Sequence, residues 1–485
     1  MAAPIHVKHY DLPYYLNSLI VLFFMFGFGH LPPILDLTPL GMQVFGIFIG
    51  LLWAWSAVDL LWPSLLGMIA VGLTGYYSIQ QTFAIGFSDS TVLMVLFMYV
   101  FADYMEQSGF SRAMACWFIS RPICIGRPWI FVLMLMLASY FMAIATSAIP
   151  CMLIGWSIFY EICALTGFKK KDKFPMLIII GICYAAALGV SVLPFKPIAG
   201  VVINGVSSVT GEVMDPLLFA STSFILGLGQ ILLFLLIGKF VVKPDVSPLQ
   251  NASDPFAQYR SRPFTSTEKV AGIILACVLS ATFLPSVLPD HWWITIFLAK
   301  FSMTAVFAFA LVIVMAIKIN GKPYADIPKA FSAGIQWPTI IMLACSIPLA
   351  NMMKDPASGV NDLFTRIILR LLDGAAPLMV GIIFVIFVGI LTQFAHNLVL
   401  AIVLAPILAN IGLILGFNPW PIAILLSMMA NLGIATPGAS VLGAMVFANK
   451  EWVTPKNGYL YSFTLVIASI IFLCVLGVPF VYLFF

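Results

Sequence analysis

Apolar stretches about twenty residues long recur from one end of this chain to the other, and nothing else limits its fold so tightly. A helix of that length matches the hydrocarbon thickness of a bilayer. Such runs lie near residues 14–34, 39–56, 60–77, 90–106, 174–194, 217–241, 269–287, 292–317, 335–352, 419–435 and 458–484, which makes about eleven spans. Composition agrees, because 62% of the residues are hydrophobic and only 9% are charged, against roughly a quarter charged in a soluble domain. The expected class is an all-α polytopic membrane protein, with the lipid bilayer as its surroundings.

Composition also excludes several functions. The formal net charge is only +4 and the basic residues are dispersed, whereas nucleic-acid binding needs a clustered basic face. Eight cysteines lie scattered through apolar segments without CxxC pairs, so neither a disulfide framework nor a zinc site is indicated. The opening residues, MAAPIHVKHYDLP, lack the succession of charge, apolar core and cleavage site that marks a removable signal. Met1 is therefore read as the mature start.

Two further apolar blocks, 128–165 and 375–415, are too long for one helix and are interrupted at their centres by AIATSAIP and QFAHNLV. Non-helical backbone at membrane depth is tolerated where protein or a water-filled cavity surrounds it. Both blocks read as re-entrant hairpins. Each is followed by an apolar helix broken at proline, over 174–205 with its break in AAALGVSVLPFKPIAG and over 419–448 with its break in MANLGIATPGASVLG. A hairpin tip followed by a broken helix thus occurs twice, and an odd number of crossings between the copies makes their topology inverted. Many secondary transporters build a midplane site in this way. The resulting division is a first segment and helix at 1–38, a first inverted repeat at 39–241, a cytoplasmic linker at 242–268 and a second repeat at 269–485.

Charge placement supports this threading. With the amino terminus inside, the outer segments keep only Lys354, Arg366 and Arg370 of the 23 basic residues, and Lys196 and Lys300 lie within spans. The rest collect on the cytoplasmic side, as the positive-inside rule asks. The expected location is a multi-pass plasma membrane, a bacterial inner membrane, with the carboxyl terminus outside.

Imidazole and carboxamide groups are costly in hydrocarbon unless something binds them, yet LTQFAHNLVLAIVLAPI places His396 and Asn397 inside an apolar run. This segment, together with ATSAIPCMLI, CYAAALGVSVLPFKP, ATPGASVLGAMVF and SDSTVLMVLFMYVFADYMEQSGFSR, resembles the divalent anion:sodium symporters. That family carries dicarboxylates, citrate or sulfate, with Ser-Asn-Thr at each hairpin tip and a Thr-Pro-Pro-Asn-like break after it. The resemblance implies tips that touch both substrate carboxylates and sodium. It also implies a homodimer, in which the first spans of each half stay fixed while the rest slides as an elevator.

Both tips depart from the family pattern. The first reads Thr146-Ser147-Ala148 and the second His396-Asn397-Leu398, so the tip threonines that would donate to a carboxylate are lost while Asn397 keeps an amide. Lys196 falls within one residue of the family threonine at the first break. An ammonium there supplies the charge of a sodium ion permanently and can pair with an anionic substrate. The expected substrate-binding residues are Thr146, Ser147, Lys196, Asn397, Thr436, Pro437 and Gly438. The expected ion-coupling positions are Lys196, His396, Ser191 and Ala435, with sodium near Thr436 and Asn397 or protons through His396 as the coupling ion. Two blander readings stay open: Lys196 snorkelling to an aqueous face, and His396 as a neutral histidine bonded to a backbone carbonyl.

Other polar and aromatic residues have simpler expectations. Glu161 reads as an interfacial ion-pair partner, Lys300 as a residue a third of the way into its helix that snorkels outward, and His30 and Asp59 as exposed helix ends. Trp53, Trp55, Trp62, Trp292, Trp293 and Trp420 read as interfacial belts.

The function expected is secondary active transport of a small anion, a carboxylate first and sulfonate or sulfate next, with reduced sodium dependence. The alternatives are a sodium-coupled dicarboxylate or sulfate symporter and an uncoupled exchanger or uniporter. A membrane-embedded enzyme is disfavoured, because there is no HExxH, no paired acidic motif and only five histidines. A channel would need a continuous polar lining.

Overall fold

The computed structural model describes residues 12–34, 37–252, 254–260, 263–289, 291–319, 322–323, 325–364, 366 and 374–485. Met1 and Arg370 lie outside the described residues. Among the described residues the chain is helical apart from a two-residue antiparallel ladder, Lys318–Ile319 with Lys322–Pro323. Nine of these helices are long and apolar enough to cross a membrane, or up to eleven if each of two bent pairs is one span. The protein is an all-α polytopic membrane protein.

The first hairpin consists of Pro128–Ala145 and Ala148–Thr166. Thr146 and Ser147 leave helical geometry between them, with ψ of −117° and 165°. Pro150 sits in the first turn of the returning arm, where a missing N–H breaks no helical bond. That arm folds back on its partner, since Cys151 Sγ donates to Ser139 O at 2.9 Å. The second hairpin consists of Pro377–Leu391 and Asn397–Leu415, joined by residues 392–396.

Each broken helix follows its hairpin. The first has halves Lys173–Val190 and Pro197–Thr210, and the second Trp420–Asn431 and Val441–Ala448. Proline at the first helical position starts the second half at Pro197, where its fixed φ suits the helix. At the other break Ser440 does the same by capping, accepting from Gly443 N–H at 3.2 Å. A β-carbon on Gly205 would lie 2.7 Å from Ala405 Cβ, so the second half of the first broken helix lies almost backbone to backbone on the second hairpin's returning arm. Small residues at such a seam let van der Waals packing act where lipid removes the hydrophobic drive.

Contacts divide the chain into two compact units, one from Met1–Leu93 with Gln336–Asp373 and the other from Met94–Ile335 with Gly374–Phe485. Both hairpins and both broken helices belong to the second. In the first, Tyr76 donates to Asp355 in the loops that follow their helices. That bond, and next the Ala357 N–H, hold the Asp355 carboxyl below its usual range, while the same bond pushes Tyr76 up to about 12. A depressed carboxyl value in the folded state stabilises above the ordinary aspartate range and is lost as pH falls through the folded value. The raised tyrosine value stabilises below about pH 10 and is lost on the way to 12. Tyr76→Phe should therefore lower the melting temperature slightly at pH 7, with the gap to wild type closing in acid as Asp355 protonates. An unchanged gap at pH 3 would contradict this account.

Several sequence expectations are corrected here. The run 292–317 is two helices, Trp293–Ala299 and Met303–Ala316, because Ser302 caps the second by accepting from Ala305 N–H at 3.2 Å. Lys300 is consequently an exposed residue at that break, not one inside a helix. Trp55 and Trp420 are buried in protein, donating to Ser64 and Glu212 at 2.8 and 3.2 Å, so they do not belong to a lipid-facing belt. Glu161 accepts from the Tyr259 hydroxyl of the linker, and among the described residues no ion pair to it is found.

Candidate substrate site

Lys196 is the last residue of the first break and caps the helix opening at Pro197. Its side chain is only 4% exposed. The ammonium donates to the backbone carbonyl of Thr146, the residue where the first hairpin turns. Around this pair, Met98, Phe101, Leu193, Phe195, Val278 and Phe307 line a cavity with room for about one water molecule. No carboxylate lines it among the described residues. An ammonium has three donors and is expensive to bury unpaired, so one carbonyl leaves it short of partners and of counter-charge.

The other first-half candidates sit close by in sequence but differ in what they can do. Thr146 is buried and its hydroxyl donates back to Met142 O at 2.8 Å, which leaves its carbonyl as the group facing Lys196. Ser147 begins the returning arm without a side-chain capping bond and is partly exposed. Ser191 is buried and donates to Ala187 O at 3.0 Å.

The second tip is tied to the second break by Gln393, which sequence reasoning did not single out. Its amide Nε2 donates to Gly389 O at 3.1 Å and Leu432 O at 3.0 Å, and its Oε1 accepts from Ala435 N–H at 2.9 Å. The Thr436 hydroxyl donates to its backbone carbonyl. The Thr392 hydroxyl lies 2.9 Å from Asn397 Oδ1 and 3.0 Å from Ala430 O and shares its one hydrogen between them. Using Oδ1 in this way fixes the Asn397 carboxamide, with Nδ2 as its remaining donor. The available signal was a glutamine beside the tip in an otherwise apolar run, a costly residue unless it closes a backbone gap.

His396 precedes the returning arm, and its Nδ1 is buried with no hydrogen-bond partner among the described residues. A buried polar atom without a partner calls for an explanation. The backbone carbonyl that the bland reading supplied is not on Nδ1. Pro437 and Gly438 are exposed, and a β-carbon at Gly438 would meet nothing within 4 Å, so this part of the break faces open space. The structure therefore brings Lys196 together with Thr146, and Ala435 and Thr436 together with the second tip. Among the described residues no hydrogen bond joins the two clusters.

Both returning arms begin at the tips, so both helix N-termini, which favour anions, lie where the chain turns. Residues 50–321, more than half of the chain, match the family model described as citrate transporter. The chain belongs to the citrate transporter family. Its wider kinship with the divalent anion:sodium symporters is shown as well, as the motif resemblance indicated. A Haemophilus influenzae protein described as an uncharacterized transporter is 22% identical over 426 residues, covering 87% of this chain and 88% of that one. The sodium-dependent dicarboxylate transporter SdcS of Staphylococcus saprophyticus is 25% identical over 434 residues, covering 85% of this chain and 81% of SdcS. The crystal structure of the Alcanivorax borkumensis YdaH transporter shares the fold with a TM-score of 0.59 at 14% identity, over 92% of this chain and 98% of that one. This citrate transporter family member is thus a multi-pass membrane protein whose relatives are named as transporters.

Proposed function

We propose that this protein is a secondary transporter of a small carboxylate, with dicarboxylates as the first class and sulfonate or sulfate next. The observation that carries the reading is the Lys196 ammonium, buried, bonded to one tip carbonyl and lacking a carboxylate among the residues around it. An incoming anion supplies the missing counter-charge. Thr146, Ser147, Asn397 and the Thr436–Gly438 turn complete the binding set, assisted by the two helix N-termini. The room beside the amine suits about one water, so admitting a carboxylate requires the tip to move.

Lys196 acts as a built-in cation at the first break, which lowers the need for sodium, and His396 couples protons, with Ser191 and Ala435 shaping the two breaks. Transport follows an elevator course, in which the first spans of each half stay fixed and both hairpins and both breaks slide. Support for this comes from the family resemblance, which also supports a homodimer. The repeats at 39–241 and 269–485, the inner-membrane location and the cytoplasmic amino terminus rest on the hydropathy and charge pattern.

The test is uptake of labelled mono- and dicarboxylates by purified protein in vesicles, with sodium and pH varied separately. Uptake should persist in choline medium, with at most a shallow dependence on sodium. A steep dependence on more than one sodium per substrate would replace this reading with a sodium-coupled symporter, the alternative that the name of the Staphylococcus relative favours. Exchange without any ion gradient would indicate an uncoupled antiporter. For His396→Gln a flattened pH profile of uptake is expected, and an unaltered profile removes the proton-coupling role.

A further inference from the structure

In transporters with broken helices, sodium is held by backbone carbonyls of the unwound segment, and a hard cation of that kind needs several oxygens free to face it. Around the second break of this chain three carbonyls on the side facing the second tip are already engaged. Ala430 O accepts from Thr392, Leu432 O from Gln393 and Gly433 O from Ser440. The side-chain oxygens nearby are committed as well, Asn397 Oδ1 to Thr392 and Gln393 Oε1 to Ala435 N–H. These bonds aim hydrogens, and so positive partial charge, at atoms a cation would use, with the one Thr392 hydroxyl hydrogen shared between Ala430 O and Asn397 Oδ1. The fit is poor for sodium at Thr436 and Asn397.

We propose that the Gln393 carboxamide takes the place of a coupling cation at the second break, so that the second hairpin is held on its unwound segment by protein alone and binds no sodium there. The residue is suited to the task, being 1% exposed and spending both amide hydrogens and its oxygen on backbone groups of the hairpin and the break. The two halves then solve one problem with different chemistry, an ammonium on a tip carbonyl in the first and a neutral amide across tip and break in the second. Gln393 is a positioning residue. The proposal goes beyond the carboxylate reading, though it shares the view that tips and breaks form the working site.

The experiment reads the tip without transport. Phe394, beside Gln393, is 67% exposed, so Phe394→Cys with the exposed Cys277 changed to serine gives a labelling site at the second tip. Maleimide labelling of the purified protein is timed in sodium and in choline medium. With Gln393 present, the rates should agree within about twofold. With Gln393→Ala, sodium should slow labelling by about fivefold or more, because the released carbonyls can then hold the ion. Sodium protection in the protein that keeps Gln393 overturns the proposal, and so does indifference to sodium in both proteins. Should the alanine variant fail to fold, Gln393→Glu serves, since a carboxylate cannot donate to Leu432 O and its labelling should become sodium-sensitive; indifference there overturns the proposal equally. Failure of the carboxylate reading would appear in vesicle uptake and leave these rates untouched.

Discussion

Uptake by Lys196→Met protein in vesicles should fall about 100-fold or more, while its melting temperature holds steady or rises. The first effect follows from removing the group that meets the substrate charge. Losing one partner of a buried charged pair costs about 2–5 kcal/mol, and about 3 kcal/mol of it is a factor of roughly 100 in rate or affinity. The second effect has the opposite sign because no carboxylate among the described residues around it neutralises this ammonium. Methionine fills similar volume among Phe101, Phe195 and Phe307 without the desolvation cost, and replacing buried charge with an apolar isostere is often neutral or stabilising by roughly 1–4 kcal/mol. A variant that transports normally would show that the amine meets no solute. A variant that loses both transport and stability would show that the lysine serves the fold.

Gly433→Ala should abolish transport and destabilise the protein by about 1–3 kcal/mol, the usual range for overpacking. A β-carbon there would run into the Asn397 side-chain oxygen and lie 2.8 Å from Thr392 O. Neither neighbour can yield cheaply, since Thr392 and Asn397 are bonded to each other and Thr392 also to the break. The second tip would therefore be lifted from its seat, and Asn397 and Thr436 would separate. Thermal unfolding together with uptake measures both effects. An alanine variant with normal melting and normal uptake would mean that the close approach at Gly433 is not needed.

The transmembrane architecture was legible because bilayer thickness imposes one length on every span, and because a forty-residue apolar block with a polar centre has few other solutions. The break at Lys196 could be placed because Pro197 opens the next helix, and the one near Thr436 because Pro437 cannot continue a helix. Where sequence failed, the cause was local capping. Ser302 splits an apolar run that hydropathy averages into one helix, and Ser78 with Gln81 forms a capping box that starts the helix Ile79–Ser88, a segment too polar to read as part of a span. At the second tip, attention went to His396 and Asn397 because they match family positions. Gln393, with its three side-chain bonds to backbone, matches none, and its partners at Leu432 and Ala435 are about forty residues away. Pairings at that distance leave no trace in a single sequence.

At Gly205 the helix Pro197–Thr210 lies against Ala405 and Pro406 of the second hairpin's returning arm with no room for even a methyl group. Nothing compressible lies in that joint to absorb a tilt, so prying the long arms apart would mean tearing two backbones from contact. On the proposed reading, entry for a solute would then fall to a few residues where the chain reverses, a keyhole rather than a swinging door, and a compound made to block it would do better to wedge a turn than to grip a helix.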